Sequence, residues 1–135
     1  MTNALRVIRT DAAPAPVAGA PYSQAIVAPA GGFVFVSGQV PVDPGTGQLV
    51  ANDIAVQTRR VLANVEAVLA GADASLSDVV KATVFLVDLA GDFAPMNAVY
   101  AEVLGTHAPA RSTVGVTALP LGARVEIEVV ARIGN

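Results

Sequence analysis

Residues 79–104, VVKATVFLVDLAGDFAPMNAVYAEVL, contain the change of pattern that decides the fold. The first part, residues 79–87, is rich in β-branched side chains and predicts a strand. Apolar residues then recur at helical spacing before Gly105, namely Phe93, Met96, Val99, Tyr100, Val103 and Leu104. This part of the chain therefore predicts a strand followed directly by a helix.

A second helix is predicted upstream, between Asn52 and Gly71. Asn52 is a candidate N-cap, and Gly71 is a residue that commonly ends helices. The apolar residues that keep to one stripe of this helix are Ile54, Val61, Leu62, Val65, Val68 and Leu69. Such a stripe indicates a helix that packs one face against a core.

Strand-like runs lie on both sides of these helices. They are residues 4–8, 25–28, 33–37, 111–116 and 124–133. Residues 29–32, PAGG, predict a hairpin turn, and residues 33–36, FVFV, are apolar on both faces and predict a central strand. We expect residues 11–21 to form a loop, and PVDPGTG at residues 41–47 and ALPLG at residues 118–122 to form turns.

The resulting order, β-β-β-α-β-α-β-β, predicts an α+β two-layer domain with both helices on one face of the sheet. No repeat or linker divides residues 1–135, so a single domain is expected. The other face of the sheet then needs burial. Apolar residues, counted with glycine, make up roughly 60% of the chain, above the usual ~45–50%. No run of 18 apolar residues suits a membrane, so we expect a homo-oligomer and no membrane partner.

Composition argues against several functional classes. The chain has no cysteine and one histidine, His107, which disfavours disulfides, thiolate nucleophiles and multi-histidine metal centres. A net charge of −3, with only four Phe and two Tyr, makes nucleic acid a poor partner. Residues 1–10 lack the apolar core and cleavage site of a signal peptide, which predicts a cytoplasmic protein.

In the last predicted strand, alternation separates an apolar from a polar face. The apolar side holds Val125, Ile127, Val129, Ala131 and Ile133, and the polar side holds Arg124, Glu126, Glu128, Val130 and Arg132. The preceding strand places Arg111, Thr113 and Gly115 together. If the two strands pair antiparallel through the short turn, Arg111, Thr113 and one or two carboxylates line a common groove.

Arg111 has two interpretations at this point. Its planar guanidinium suits a ligand carboxylate, to which it donates two parallel hydrogen bonds. The alternative is a salt bridge with Glu126 or Glu128 on a solvated strand edge. His107 is expected to have a surface or capping role, and Lys81 to be a snorkelling or paired lysine.

Four stretches together resemble the RidA (YjgF) family of reactive intermediate deaminases. They are APYSQA at residues 20–25, SGQVPVDPGTG at 37–47, DVVKATVFLVDLAGDFAPMNAVY at 78–100, and PARSTVGV at 109–116 followed by LPLGARVEIEVVA at 119–131. The resemblance spans nearly the whole chain. PARS, the MN-x-x-Y helix and the VEIE strand, in this order and spacing, are its specific parts.

The resemblance implies a chorismate-mutase-like fold: a homotrimer whose sheets form a central β-barrel, with ligand sites between subunits. It also implies hydrolysis of enamine and imine intermediates, such as 2-aminoacrylate and 2-aminocrotonate, to 2-keto acids and ammonia. Active members need no metal and no cofactor. Small-molecule imines or keto acids would then be the ligands.

By the same resemblance, Arg111 binds the substrate carboxylate and Glu126 positions the attacking water. Tyr22, Ser37 and Asn97 occupy pocket positions, and Thr113 supplies backbone contacts, while Glu128 is structural or paired. Thr113 stands where many members have cysteine. Ala20, Ala108 and a short link before Pro109 also depart from the pattern and bear on the shape of the pocket.

The sequence is also compatible with other functions. The same cleft would also suit a protein that binds carboxylate metabolites without turnover. Related family members deaminate other compounds in catabolic pathways, and some have been described as ribonucleases or translation inhibitors. The acidic charge balance argues against the ribonuclease hypothesis.

Overall fold

The computed structural model describes residues 6–16, 18, 22–27 and 31–134. In this part of the chain the strands are β1 (Arg6–Ile8), β2 (Ala25–Val27), β3 (Phe33–Gln39), β4 (Val79–Leu86), β5 (Ala110–Gly115) and β6 (Val125–Arg132). The helices are α1 (Ile54–Gly71) and α2 (Leu89–Leu104), and single 3-10 turns occupy Leu76–Asp78 and Pro120–Gly122. The predicted order of strands and helices is confirmed, and with it the α+β class.

The strands form one sheet in the order β1-β2-β3-β6-β4-β5. Neighbouring strands are antiparallel except β4 and β5, which are parallel because α2 returns the chain between them. β3 lies between β2 and β6, as expected for a central strand. β2 and β3 form the predicted antiparallel pair, although residues 28–30 of its turn lie outside the described residues.

The expected pairing of the last two strands is wrong. β4 lies between β5 and β6 and pairs with both, so β5 is an edge strand that does not touch β6. The turn between β5 and β6 therefore crosses over β4 and does not form a hairpin. The crossover through α2 places β4 and β5 side by side, and β6 pairs with the other edge of β4.

Both helices cover one face of the sheet, where the core lies. Alternate residues of the inner strands are buried there, including Val34, Val36, Ala82, Val84, Leu86, Ile127 and Val129. The predicted stripe of α1 is buried against them, as are Met96, Val99 and Leu104 of α2. The described helices do not include one with the length and apolarity needed to cross a bilayer.

Several predicted boundaries need correction. The N-cap of α1 is Asp53 and not Asn52, because Asp53 accepts a hydrogen bond from the Val56 backbone N–H at 2.9 Å. α2 begins at Leu89, ahead of its first predicted apolar residue, since Asp88 caps it through the Gly91 N–H at 3.0 Å. Residues 4–5 of the first predicted strand, and residues 17 and 19–21 of the predicted loop, lie outside the described residues.

The beginning of β6 is held by Arg124. Its backbone N–H donates to Gln57 of α1 at 2.9 Å, and its guanidinium binds the buried Asp92 of α2 at 2.7 and 3.2 Å. Arg124 was expected on the same strand face as Glu126 and Glu128. It precedes β6 instead, and its side chain contacts the helices. This paired, partly buried charge fixes the strand two residues before Glu126.

The face of the sheet opposite the helices carries a row of apolar side chains that the single chain leaves partly or fully exposed. Val7, Ile26, Phe35 and Val130 follow one another across four neighbouring strands. Phe33 and Val114 are also exposed. An apolar row without a covering layer agrees with the expectation that this surface is buried by other copies of the chain.

Candidate active site

Arg111 is held in place by three side chains of α2. Its Nη1 donates to Asn97 Oδ1 at 2.7 Å. Its guanidinium carbon lies 4.6 Å from the ring centre of Tyr100 and 5.7 Å from that of Phe93. Positions 93, 97 and 100 share one helix face because they are four and three residues apart. The helix therefore orients the guanidinium by two cation–π contacts and one hydrogen bond.

Arg111 makes no ion pair with a carboxylate of the described residues. The interpretation as a salt bridge with Glu126 or Glu128 is therefore wrong. Among these residues, Asn97 is its one hydrogen-bond acceptor, and a neutral amide does not neutralise the charge. Further N–H donors of this half-buried cation remain available to an anionic ligand.

Two hydroxyl groups lie on the same side of the sheet as Arg111. The Tyr100 hydroxyl and Thr113 Oγ1 are both buried and have no hydrogen-bond partner among the described residues. Burial raises the pKa of Tyr100, and the charge of Arg111 partly offsets that rise. The hydroxyl therefore stays protonated, and Tyr100 contributes a neutral ring against the cation.

Glu126 lies on the opposite, helix-free face of the sheet. It pairs in register with Phe85 of β4, whereas Arg111 pairs with Ala82, whose side chain is buried beneath the helices. One chain therefore places Arg111 and Glu126 on different faces. The expectation that they share a groove within one subunit is wrong, because it depended on the pairing of β5 with β6.

The carboxylate of Glu126 packs against the backbone of Gly38. A Cβ atom at position 38 would collide with Oε2, so any larger residue would displace the Glu126 carboxylate from this position. Ser37 and Gly38 lie at an irregularity of the β3–β6 ladder between Val36 and Gln39. The Glu126 carboxylate therefore lies next to a bulge in β3.

The pKa of Glu126 is raised from the ordinary value of a glutamate. Partial burial raises its pKa first, and the negative charge of the exposed Glu128 on the same strand face raises it further. Its carboxyl group is therefore a better proton acceptor when ionised than an exposed glutamate. This is the electrostatic setting in which a carboxylate exchanges protons with water.

Tyr22 and Ser37 lie near Glu126 rather than near Arg111. Tyr22 and Gly38 line one cleft of about 340 Å³. The Ser37 hydroxyl donates to the Ser23 carbonyl oxygen at 2.5 Å, and its N–H donates to the Gln24 carbonyl oxygen at 2.9 Å. In this chain Ser37 thus ties β3 to the segment that carries Tyr22.

The expected site residues form two groups. Arg111, Asn97 and Thr113 lie on the helix side, and Glu126, Ser37 and Tyr22 lie around the bulge of β3. Sequence reasoning missed the roles of Phe93, Tyr100 and Gly38. Helical spacing identified both aromatic residues as apolar, but it did not show that Arg111 would lie against them.

The other polar candidates have structural contacts. His107 is exposed, and its Nε2 lies 2.6 Å from the Val79 carbonyl oxygen. Lys81 donates to the Ser112 hydroxyl at 2.9 Å, which confirms the expectation of a paired lysine. The described part of the chain holds no group of three His, Asp or Glu side chains that would bind a metal ion.

Comparison with known proteins gives consistent matches along the chain. A family model described as Endoribonuclease L-PSP matches residues 12–133. A RutC family protein of Pyrococcus abyssi is 52% identical over 128 residues, which cover 95% of this chain and 97% of that protein. A Bos taurus protein named 2-iminobutanoate/2-iminopropanoate deaminase is 40% identical over 126 residues, 93% of this chain and 88% of that protein.

The fold is also similar to solved structures. The crystal structure of E. coli TdcF with bound serine matches with a TM-score of 0.87 and 40% sequence identity. The match covers 96% of this chain and 99% of that chain. The family match over residues 12–133 includes both groups of site residues.

Proposed function

We propose that this chain, which belongs to the YjgF/RidA family, hydrolyses 2-imino acids and their enamine tautomers. The products are 2-keto acids and ammonia. Some relatives carry deaminase names, which supports a deaminase activity in the family. The substrates we propose are of the 2-aminoacrylate and 2-aminocrotonate class. The carrying observation in this chain is Arg111, a fixed and half-buried guanidinium without a carboxylate partner among the described residues.

In the proposed reaction, Arg111 binds the carboxylate of the substrate and leaves C2 exposed to a water molecule. Glu126 accepts a proton from that water while the water oxygen bonds to C2. That proton passes to the nitrogen, which gives a carbinolamine at C2. The proton of the new hydroxyl group then also passes to the nitrogen, the C–N bond breaks, and ammonia leaves as the C2 carbonyl forms. One imine and one water thus give one keto acid and one ammonia, with no redox step.

We propose that Arg111 and Glu126 act together across a subunit interface in a homotrimer. They lie on opposite faces of one sheet, so a single chain does not bring them to one substrate. The apolar, helix-free face supplies a surface for self-association. In this arrangement Arg111 of one subunit faces Glu126 of its neighbour.

The activity is tested by supplying the imine enzymatically. A threonine or serine dehydratase releases the enamine, and we expect this protein to accelerate formation of 2-ketobutyrate or pyruvate. An RNA cleavage assay on the same preparation is the comparison, and we expect no cleavage, because the net charge of −3 offers little attraction to phosphate. RNA cleavage without any acceleration of keto-acid release would refute the proposal.

Oligomerisation is tested by Phe35→Asp. We expect wild type to have three times the mass of one chain in light scattering at micromolar concentration. The variant should dissociate and lose deaminase activity, because it places a charge in the apolar face. Val56→Asp is the matched control, since Val56 is similarly exposed, 44% against 48% for Phe35, but lies on α1. A monomeric and active wild-type protein would exclude the intersubunit site.

Binding without turnover is the second candidate function. It is favoured by the independence of the Arg111 cluster, whose contacts to α2 form without Glu126. Calorimetry with 2-ketobutyrate distinguishes the two functions. A pure binding protein would bind the keto acid equally well with Glu126→Ala, and neither form would release keto acid from an imine.

A further inference from the structure

A cleft of about 340 Å³ opens beside the wall on which Glu126 lies. Gly38 forms part of its lining, and the Glu126 carboxylate packs against that same glycine. Most of the other walls are apolar, formed by Pro14, Val40, Val42, Pro44 and Leu121. None of the described residues that line this cleft carries a charged side chain. It is therefore suited to an uncharged, apolar group.

Leu121 is an unusual residue at the rim of this cleft. Its backbone is left-handed, with φ 62° and ψ 14°, a conformation that favours glycine and asparagine. Its side chain is 68% exposed and contributes little to the core. Leucine is therefore unfavourable here, because the backbone is left-handed and the apolar side chain is exposed to solvent. It does, however, extend the apolar wall of the cleft.

The size of the cleft exceeds what the smallest imino acids need. 2-Iminopropanoate carries only a methyl group on C2, whereas pockets of about 300 Å³ and above hold much larger ligands. In the proposed reaction, C2 of the substrate lies beside Glu126 and the substrate carboxylate binds Arg111. The cleft beside Gly38 then adjoins this position of C2 and offers space for its third substituent.

We propose that this cleft receives the substrate side chain and that Leu121 is a specificity-determining residue, so that the enzyme prefers 2-imino acids with branched aliphatic side chains. This inference rests on the deaminase function proposed above. Burial of each additional methylene favours binding by about fourfold. An imino acid derived from leucine has two more carbons than 2-iminobutanoate and should show a kcat/KM about 10-fold higher.

The test compares kcat/KM for imino acids that an L-amino-acid oxidase generates from alanine, 2-aminobutyrate, leucine and glutamate. Wild type should favour the leucine product by about 10-fold over the 2-aminobutyrate product. It should use the glutamate product worst, because the lining is uncharged. Leu121→Asn should reduce the preference for the leucine product to about 2-fold or less, with little change for the alanine product.

Asparagine suits the left-handed turn, so Leu121→Asn should be at least as thermally stable as wild type. Val56→Asn is the matched control and should keep the wild-type preference, because Val56 is an exposed apolar residue of α1 that does not line the cleft. Equal kcat/KM across the series, or an unchanged preference in Leu121→Asn, would overturn the inference while leaving the deaminase function intact. Absence of turnover with every imine would overturn both.

Discussion

Replacement of Glu126 by glutamine is expected to lower kcat for keto-acid release by about 10²–10⁴-fold, with a much smaller change in KM. Glutamine has nearly the same shape and still fits against Gly38. Its amide does not accept a proton from water, so the water keeps its position and loses its base. The measurement is steady-state kcat and KM with 2-iminobutanoate generated in situ.

Glu128→Gln is the matched control for this variant. Glu128 is on the same strand and the same face, but it is exposed and its charge raises the pKa of Glu126. We expect kcat near neutral pH to remain within about 2-fold of wild type. Equal losses in the two variants would show that Glu126 acts only through the local charge and would exclude it as the base.

The pH profile gives a second readout of the same pair. Activity should fall on the acid side as Glu126 becomes protonated, and the raised pKa places this limb above the pH at which an ordinary glutamate titrates. Glu128→Gln removes a neighbouring negative charge and should move the limb to lower pH. Glu126→Gln should abolish the limb in the residual activity.

As pH rises, the contribution of Glu126 to the free energy of unfolding should fall, whereas the activity should increase. The folded-state pKa of Glu126 is raised, so the folded protein holds its proton more tightly than the unfolded chain does. Its contribution to stability is then present at low pH and is lost as pH rises through the folded pKa. Glu126→Gln should therefore be at least as stable as wild type at neutral pH, which a merely structural glutamate would not show.

The sequence patterns predicted the elements well, because periodicity reports directly which side chains face the core. The stripe of α1 and the alternation of β6 are both found as expected. The predicted N-cap of α1, Asn52, was one residue too early because Asn52 and Asp53 are both good capping residues. Only the local backbone conformation decides between such neighbours.

The arrangement of the site was harder to predict from one sequence. Pairing of β5 with β6 was inferred from their adjacency in the chain, whereas the sheet places β4 between them. This single difference moves Arg111 and Glu126 to opposite faces. The contacts of Phe93 and Tyr100 with Arg111 likewise depend on how α2 crosses β5, which helical periodicity does not specify.

Arg111→Ala is expected to reduce kcat/KM for 2-iminobutanoate by about 10²–10⁴-fold, chiefly through KM. A guanidinium that donates two charge-assisted hydrogen bonds to a carboxylate contributes about 1.5–3 kcal/mol for each bond. Arg111→Lys keeps the charge but loses the planar fork and part of the stacking on Tyr100, so we expect an intermediate loss. Calorimetric titration with 2-ketobutyrate measures the binding part of the effect separately.

Substitutions in α2 test whether substrate binding depends on how the Arg111 guanidinium is held, in addition to its charge. Tyr100→Phe keeps the ring beneath Arg111 and should retain a KM close to that of wild type, whereas Tyr100→Leu should raise KM several-fold, because a cation–π contact of this kind contributes about 0.5–2 kcal/mol. Arg59→Ala is the control for loss of positive charge, since Arg59 is exposed and paired with Glu102 at 2.8 Å. If Arg111→Ala and Arg59→Ala were equally active, Arg111 would not be the carboxylate anchor. If Arg111→Ala alone lost activity while Tyr100→Leu did not, the guanidinium would act without the ring that holds it.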